Sequence, residues 1–248
     1  MYKKKHEIIE KILLNFPRLS NIFYRYFFKN RLGKFLKVFQ KKVSLDYVYD
    51  IGAYKGEWSQ FYSKTSLSNS KFILFEANKA HHKILNKKNF EFFNVILSDK
   101  KKTVNFFNNN NSTGDSYYRE NTFHHKNLKS KKLPAITLDY IKNEKNLPNP
   151  DLIKIDTQGS EIDVLKGAKN TIKKCKLIYL ECPIAKSNNN NLNFDYYLNY
   201  MKKINYIPQE ICEIHHFHGF LFQIDILFMR KDLYKKYNFN NRLLKNIF

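Results

Sequence analysis

Acidic residues are scarce in this chain: 22 Asp and Glu face 44 Lys and Arg among 248 residues, a formal net charge of +22. Such an excess speaks about partners rather than fold. Nucleic acid, an anionic membrane surface and a codon bias toward Lys and Asn would each account for it. Cysteine is almost absent, and Cys175, Cys182 and Cys212 have no C-x-x-C spacing. That excludes a disulfide framework and a zinc knuckle, and fits a reducing compartment. No apolar run approaches the roughly 18 residues of a membrane-spanning helix. The basic start MYKKKHEIIEKILLNFPRLS is broken by Glu7, Glu10, Lys11 and Asn15 and lacks a small-residue cleavage site, so it does not read as a secretory signal. The expected location is the cytoplasm.

What is present is the balance of a folded chain, with 43% hydrophobic and 27% charged residues. The length suits one generous domain. Three segments are expected: a basic, aromatic-rich helical extension over 1–45, a domain over 46–230 and a basic tail over 231–248. The first 42 residues hold nine Lys and three Arg against two Glu. From Phe23 to Lys42 aromatics interleave with cations, as in a membrane-surface helix, a nucleic-acid arm or a helix packed on the domain. From residue 46 short apolar runs alternate with helix-like segments. Strands are predicted near 46–51, 71–75, 92–97, 151–156, 175–182, 206–213 and 220–229, with an extra β-piece at 103–107. Helices are predicted near 57–65, 79–88, 136–143, 160–170 and 194–204. The alternation implies a mainly parallel seven-stranded sheet, helices on both faces, and a ligand crevice outside the carboxyl ends of the strands. The last two strands are separated only by His215-His216-Phe217-His218-Gly219-Phe220, too little for a parallel crossover, so they form an antiparallel hairpin.

Three segments carry chemistry. In Tyr47-Val48-Tyr49-Asp50-Ile51-Gly52-Ala53-Tyr54-Lys55-Gly56 a strand enters a glycine-containing turn, where the backbone can approach a ligand closely. The spacing is not the G-x-G-x-x-G that sets a pyrophosphate on a helix N-terminus. At the end of the next strand Glu76 can accept hydrogen bonds from both hydroxyls of a ribose, and Ser98 and Asp99 end the third. Leu152-Ile153-Lys154-Ile155-Asp156 is a central strand that should be continuously apolar yet carries two charges on one face, about 7 Å apart. Buried charges need partners. Tyr179 and Glu181 share a face of the next strand in the same way.

Together with Thr137-Leu138-Asp139, Gly159, Glu161 and Leu165-Lys166-Gly167, this ordered set resembles the FkbM family of S-adenosylmethionine-dependent methyltransferases from about Asp46 to Arg230. The resemblance implies a class I (Rossmann-like) methyltransferase fold, S-adenosylmethionine as cofactor, and methyl transfer to a hydroxyl of a sugar, glycan precursor or secondary metabolite. It assigns the cofactor to Asp50, Gly52, Ala53, Gly56, Glu76, Ala77, Ser98, Asp99 and Asp156, with Asp50 near the methionyl ammonium and Ser98 and Asp99 beside the adenine. The family often has Asn where Tyr54 stands and Glu where Gln158 stands. Methyl transfer is an in-line displacement, so the protein must align donor and acceptor and take up the hydroxyl proton. Asp156, Glu181 and His215, with Lys154 beside them, are the catalytic candidates, and His216 and His218 join His215 at the hairpin. No recognised spacing supports a metal site. Expected partners are a small-molecule or glycan acceptor and, through the basic arm, an anionic membrane surface at the inner face. The polar, aromatic loop 108–120 is a candidate contact for a sugar. Asp156 is followed by Thr157-Gln158-Gly159 rather than an Asn-Pro-Pro-Tyr-type loop, which argues against nucleic acid. A non-catalytic binding module is the remaining alternative.

Overall fold

Runs rich in Val, Ile, Leu, Tyr and Phe set the strands, and segments with apolar residues at three- and four-residue spacing set the helices. In the computed structural model, which describes residues 30–108, 114–119, 130–185 and 192–237, they follow in the order α1 (Arg31–Phe39), β1 (Tyr47–Ile51), α2 (Glu57–Ser63), β2 (Lys71–Phe75), a 3-10 turn (Lys79–His81), α3 (His82–Lys87), β3 (Glu91–Phe93), β4 (Ile96–Leu97), β5 (Lys102–Phe107), β6 (Ser130–Ile136), α4 (Leu138–Glu144), β7 (Leu152–Ile155), α5 (Glu161–Lys166), α6 (Lys169–Lys174), β8 (Leu177–Pro183), α7 (Phe194–Lys203), β9 (Tyr206–Phe217), β10 (Phe220–Arg230) and α8 (Lys231–Tyr237).

Seven strands form one sheet in the order β3-β2-β1-β7-β8-β10-β9. The first five are parallel and β10 runs antiparallel to both β8 and β9. Alternation gives the sheet two apolar faces: Tyr49, Ile51, Ile73, Phe75, Ile153 and Ile155 pack in one buried cluster, and Val48, Phe72, Leu74 and Leu152 in another. This is the mainly parallel sheet with a terminal hairpin that the alternation predicts, and the class I methyltransferase sheet that the resemblance implies.

Four departures are informative. The single strand expected near 92–97 is two, β3 in the large sheet and β4 in a small sheet ordered β4-β6-β5, and β6 was not expected, because Ser130-Lys131-Lys132 leads an exposed, polar strand start. The helix expected over 160–170 breaks at Gly167, where a side chain would lie 2.0 Å from the Ser98 carbonyl oxygen. The hairpin strands run to Phe217 and Phe220, joined by His218 and Gly219 alone, both at positive φ as a tight hairpin turn requires. His215 and His216 are therefore strand residues, not loop residues. Finally, α1 buries Leu32, Leu36 and Phe39, and α8 buries Leu233, in the same cluster as β1 and β2. The described parts of the N-terminal extension and of the tail thus share the domain's core; Phe23 to Phe28 lie outside the described residues.

Candidate active site

β1 hands the chain into its turn at Gly52, whose φ of +73° suits glycine, and a Cβ there would sit 1.8 Å from the Asp156 carbonyl oxygen. The close approach of the β1 and β7 turns therefore requires Gly52. At the β2 end Glu76 is buried, and its two carboxylate oxygens accept from the Tyr54 and Asn78 backbone N–H groups, each at 2.7 Å. A cavity opens against these residues, lined by Ile51, Gly52, Tyr54, Phe75, Glu76, Ala77, Val95, Ile96, Leu97, Phe106, Tyr117, Asp156 and Gln158 among others. Its lining combines apolar side chains with the backbone of the Gly52 turn and the Glu76 and Asp156 carboxylates.

The charged residues of β7 find their partners across the sheet. Lys154 is in register with Asp50 on β1, and its Nζ lies 3.1 Å from Asp50 Oδ1, 3.3 Å from Asp156 Oδ2 and 5.9 Å above the Trp58 ring. Burial pulls the ammonium down, but Asp156 and Asp50 outweigh it and hold Lys154 above its ordinary value. Burial likewise works to raise the Asp156 carboxyl; Lys154, with hydrogen bonds from Glu181 and Gln158, prevails and keeps it below the usual carboxylate range. Glu181 goes the other way, pushed well up by burial and by the neighbouring Asp156 and Glu161 charges. The Gln158 amide bridges the pair, donating to Asp156 at 3.0 Å and to Glu181 at 3.0 and 3.1 Å. To reach both it adopts φ +53°, and Tyr54 across the turn has the same positive φ. Left-handed backbone at two non-glycine residues is strain of the kind that gathers at functional sites.

A second cavity lies on the other side of these groups, lined by Gly52, Ala53, Tyr54, Glu57, Trp58, Lys154, Asp156, Gln158, Tyr179, Glu181, Glu213, His215, Phe222, Gln223 and Asp225. Its floor is a row of acids in register across four strands. Asp225 on β10 pairs with Glu181 on β8 and with Glu213 on β9, and Asp156 follows Ile155, the partner of Leu180. Like charges opposite one another destabilise a sheet, and in so basic a chain the row stands out. Asp225 accepts from the Tyr179 hydroxyl at 2.7 Å and lies 3.4 Å from His215 Nε2. That hydrogen bond raises the His215 imidazole above its ordinary value, against burial. Ligand-type atoms of Glu213, His215 and Asp225 gather within 4.8 Å, as do those of Glu76, His81 and Asp115; in each group the most central carboxylate already accepts hydrogen bonds from the protein.

Of the expected cofactor residues, Gly52, Glu76, Ala77 and Asp156 line the first cavity, and Ala53 lines the second. Asp50 does not reach it. Its carboxylate is fully buried and bound to the Lys154 ammonium and the Ser59 hydroxyl, so it anchors the turn and does not face the cavity where a methionyl ammonium was expected. Gly56 caps α2 with a φ of +69°, and its α-carbon faces Leu85, away from the cavity. Ser98 is buried on Asp99 and Tyr117, and Asp99 pairs with Lys102, so neither borders the cavity; Val95, Ile96 and Leu97 take that place. Among the described residues of the 108–120 loop, Asp115, Ser116 and Tyr117 sit on the first cavity rather than the second. Lys154, Glu181 and His215 all line the second. Sequence reasoning missed Asp225 and Glu213. The signal for Asp225 was an acid inside the apolar run Phe220-Leu221-Phe222-Gln223-Ile224-Asp225-Ile226-Leu227, the same anomaly that exposed Lys154.

The sequence matches the Methyltransferase FkbM domain over residues 50–240. The chain belongs to the FkbM methyltransferase family. Glu76, the Gly52 turn and the apolar residues of the first cavity are the kinds of group that the ribose, methionyl and adenine parts of S-adenosylmethionine, the cofactor implied by the family resemblance, would need. Comparison with curated protein sequences finds no match. Among solved structures, the chain is similar to the methyltransferase FkbM from Methylobacillus flagellatus KT, with 17% identity and a TM-score of 0.48 over 75% of this chain and 43% of that one. It is also similar to the magnesium protoporphyrin IX methyltransferase of Synechocystis PCC 6803, solved with bound S-adenosylmethionine (7% identity, TM-score 0.48, 80% and 76% of the chains). A third is the 1,6-didemethyltoxoflavin-N1-methyltransferase of Burkholderia thailandensis (6% identity, TM-score 0.42, 91% and 89%). The chain thus spans less than half of the Methylobacillus protein.

Proposed function

We propose that this methyltransferase acts on a hydroxyl group of a sugar-like or other polyhydroxylated acceptor held in the second cavity. The observation that carries the reading is that, among the described residues, Asp156 is the only carboxylate lining both cavities. Held in the first cavity, the cofactor would supply an electrophilic methyl group whose bond to sulfur breaks as the bond to the acceptor oxygen forms, with S-adenosylhomocysteine as the leaving group. The chain supplies everything else. Lys154 holds Asp156 ionised, and Gln158 fixes its orientation. An acceptor hydroxyl in the second cavity that donates to Asp156 is thereby held in place, and Asp156 takes up its proton. Glu181, whose carboxyl is pushed well up by burial and by the Asp156 charge, hydrogen-bonds Asp156 and disperses its charge. Glu213 and Asp225 offer acceptors to the remaining hydroxyls of a polyol, His215 adds a further hydrogen-bonding group, and the acid row disfavours an anionic group beside the reacting oxygen. It equally disfavours a nucleic-acid backbone.

The test is transfer of a labelled methyl group from S-adenosylmethionine to a panel of glycosides, phenols and RNA, with the product bond identified by mass spectrometry and NMR. A methyl ether on a hydroxyl compound is the expected product. Methylation of RNA bases, or of nitrogen or carbon in any acceptor, overturns the reading.

A further inference from the structure

From Ile214 to Ile224 eleven residues pass without one Lys, Arg, Asp or Glu, in a chain where 27% of residues are charged. They form the tip of the β9–β10 hairpin. Phe220 is 80% exposed, Phe217 63% and Ile214 56%, with Leu221 beside them. Phe217 and Phe220 are register partners across the turn, so the apolar surface is a convex point rather than a flat face. Exposed apolar surface on this scale marks an interaction site. A convex tip is buried only by something that closes around it, which a fluid lipid layer does.

We propose that the hairpin tip enters an anionic lipid bilayer and sets the second cavity at headgroup level, so that the acceptor hydroxyl belongs to a lipid-borne headgroup. Three observations support this occupant. The backbone of the tip is paired up to its two-residue turn, so entry strands few N–H and C=O groups. The chain's +22 charge complements an anionic surface, and the basic first residues lead into α1, which packs on β9 through Arg31 and Glu210 at 3.0 Å. Phe222, Gln223 and His215, a few residues back from the tip, line the second cavity. At about 3.4 Å per residue the cavity mouth lies within the thickness of a headgroup layer. The acceptor class rests on the proposed function of that cavity; insertion of the tip does not.

The experiment is co-sedimentation of the full chain with vesicles of phosphatidylcholine alone and of phosphatidylcholine with phosphatidylglycerol in equal parts, at low and high salt. The wild type is compared with Phe217→Ser/Phe220→Ser and with Phe220→Ser alone. Wild type is expected to bind the anionic vesicles and to keep a salt-resistant part, and the double variant to partition at least about tenfold more weakly, since each buried Phe contributes about that much or more. Both side chains are exposed, so melting temperature and S-adenosylhomocysteine affinity stay at wild-type values; if the double variant misfolds, the single variant decides. Binding to neither vesicle overturns the proposal, and so does binding that the substitutions leave unchanged. A dimer seen by light scattering that the substitutions dissociate also overturns it, assigning the tip to a second copy. Failure of S-adenosylhomocysteine binding in calorimetry would instead strike at the methyltransferase reading.

Discussion

Lys154 and Asp156 form an ion pair, Nζ to Oδ2 3.3 Å, where the two cavities meet. Lys154 lies on β7 and Asp156 directly after its last residue, two positions on, so they share a face, and the lysine's other partner, Asp50, is fixed by strand register. The ammonium thus ties the turn after β1 to the turn after β7. Lys154→Met is expected to leave Asp50 buried with only the Ser59 hydroxyl, at a cost of about 3–5 kcal/mol. Urea unfolding measures it. The double variant Lys154→Met/Asp50→Asn should recover much of the loss, because the uncompensated charge is gone; no recovery would mean that the pair is not what stabilises the turn.

Asp156→Asn keeps the shape of the site but cannot accept a proton. S-adenosylhomocysteine affinity should stay within a few-fold of wild type while turnover falls on the order of 10²-fold or more. Calorimetry and a methyl-transfer assay read the two separately. Turnover within a few-fold of wild type would move the base to Glu181 or His215.

The pH profile separates Asp156 from His215. Lys154 holds the Asp156 carboxyl low, so turnover that depends on it is present across neutral pH and is lost only as pH falls through that depressed value, below about 4. The hydrogen bond to Asp225 raises His215, so a His215 base would switch on only as pH rises through a value above about 6.5. A flat profile between these limits is expected. For stability the sign reverses: the His215–Asp225 pairing contributes fully below the ordinary imidazole value and is lost as pH rises through the raised one. His215→Gln should therefore lower the melting temperature at acidic pH and leave it closer to wild type at alkaline pH.

The parallel sheet with its terminal hairpin, and Gly52, Glu76, Lys154, Asp156, Glu181 and His215 among the residues lining the cavities, were legible in the sequence for a physical reason. Strands buried on both faces tolerate no charge without a use, so Lys154 and Asp156 were conspicuous in Leu152-Ile153-Lys154-Ile155-Asp156. The turn after β1 announced itself through its glycines. What could not be read was which way a polar side chain turns. Asp50 and Ser98 end strands at the crevice edge, yet register and packing aim them into Lys154 and Tyr117. Gln158 looked like a departure from a family pattern; only the fold shows that its amide spans two carboxylates. The acid row escaped because it is assembled from four strands far apart in sequence.

Glu76 is held by the Tyr54 and Asn78 N–H groups, so its role at the ribose is bound up with the turn it fixes. Glu76→Ala should weaken S-adenosylhomocysteine by about 1–3 kcal/mol through lost charge-assisted hydrogen bonds. Glu76→Gln should weaken it less. Unchanged affinity in a folded Glu76→Ala protein would remove the residue from the ribose site.

Glu161 carries the last prediction. It is buried, and burial raises its carboxyl. One oxygen accepts from Thr157 N–H at 3.0 Å, Gly159 N–H at 2.9 Å and the Thr157 hydroxyl at 3.2 Å, and the other from the Tyr197 hydroxyl at 2.9 Å. The two N–H groups flank Gln158, so Glu161 clamps the segment whose left-handed residue bridges Asp156 and Glu181. Glutamine can replace it. Its carbonyl keeps both N–H groups, and its amide donates to the Tyr197 hydroxyl, which accepts as readily as it donates. Glu161→Gln should accordingly change unfolding free energy by no more than about 1 kcal/mol and leave turnover near wild type. Leucine cannot replace it. Two backbone N–H groups and a phenol lose their acceptor in a dry site, each at about 1–3 kcal/mol, and the Gln158 bridge loses its support. Glu161→Leu should therefore lose both stability in urea and turnover. A stable Glu161→Leu with full activity would show that the clamp is not what orients Gln158.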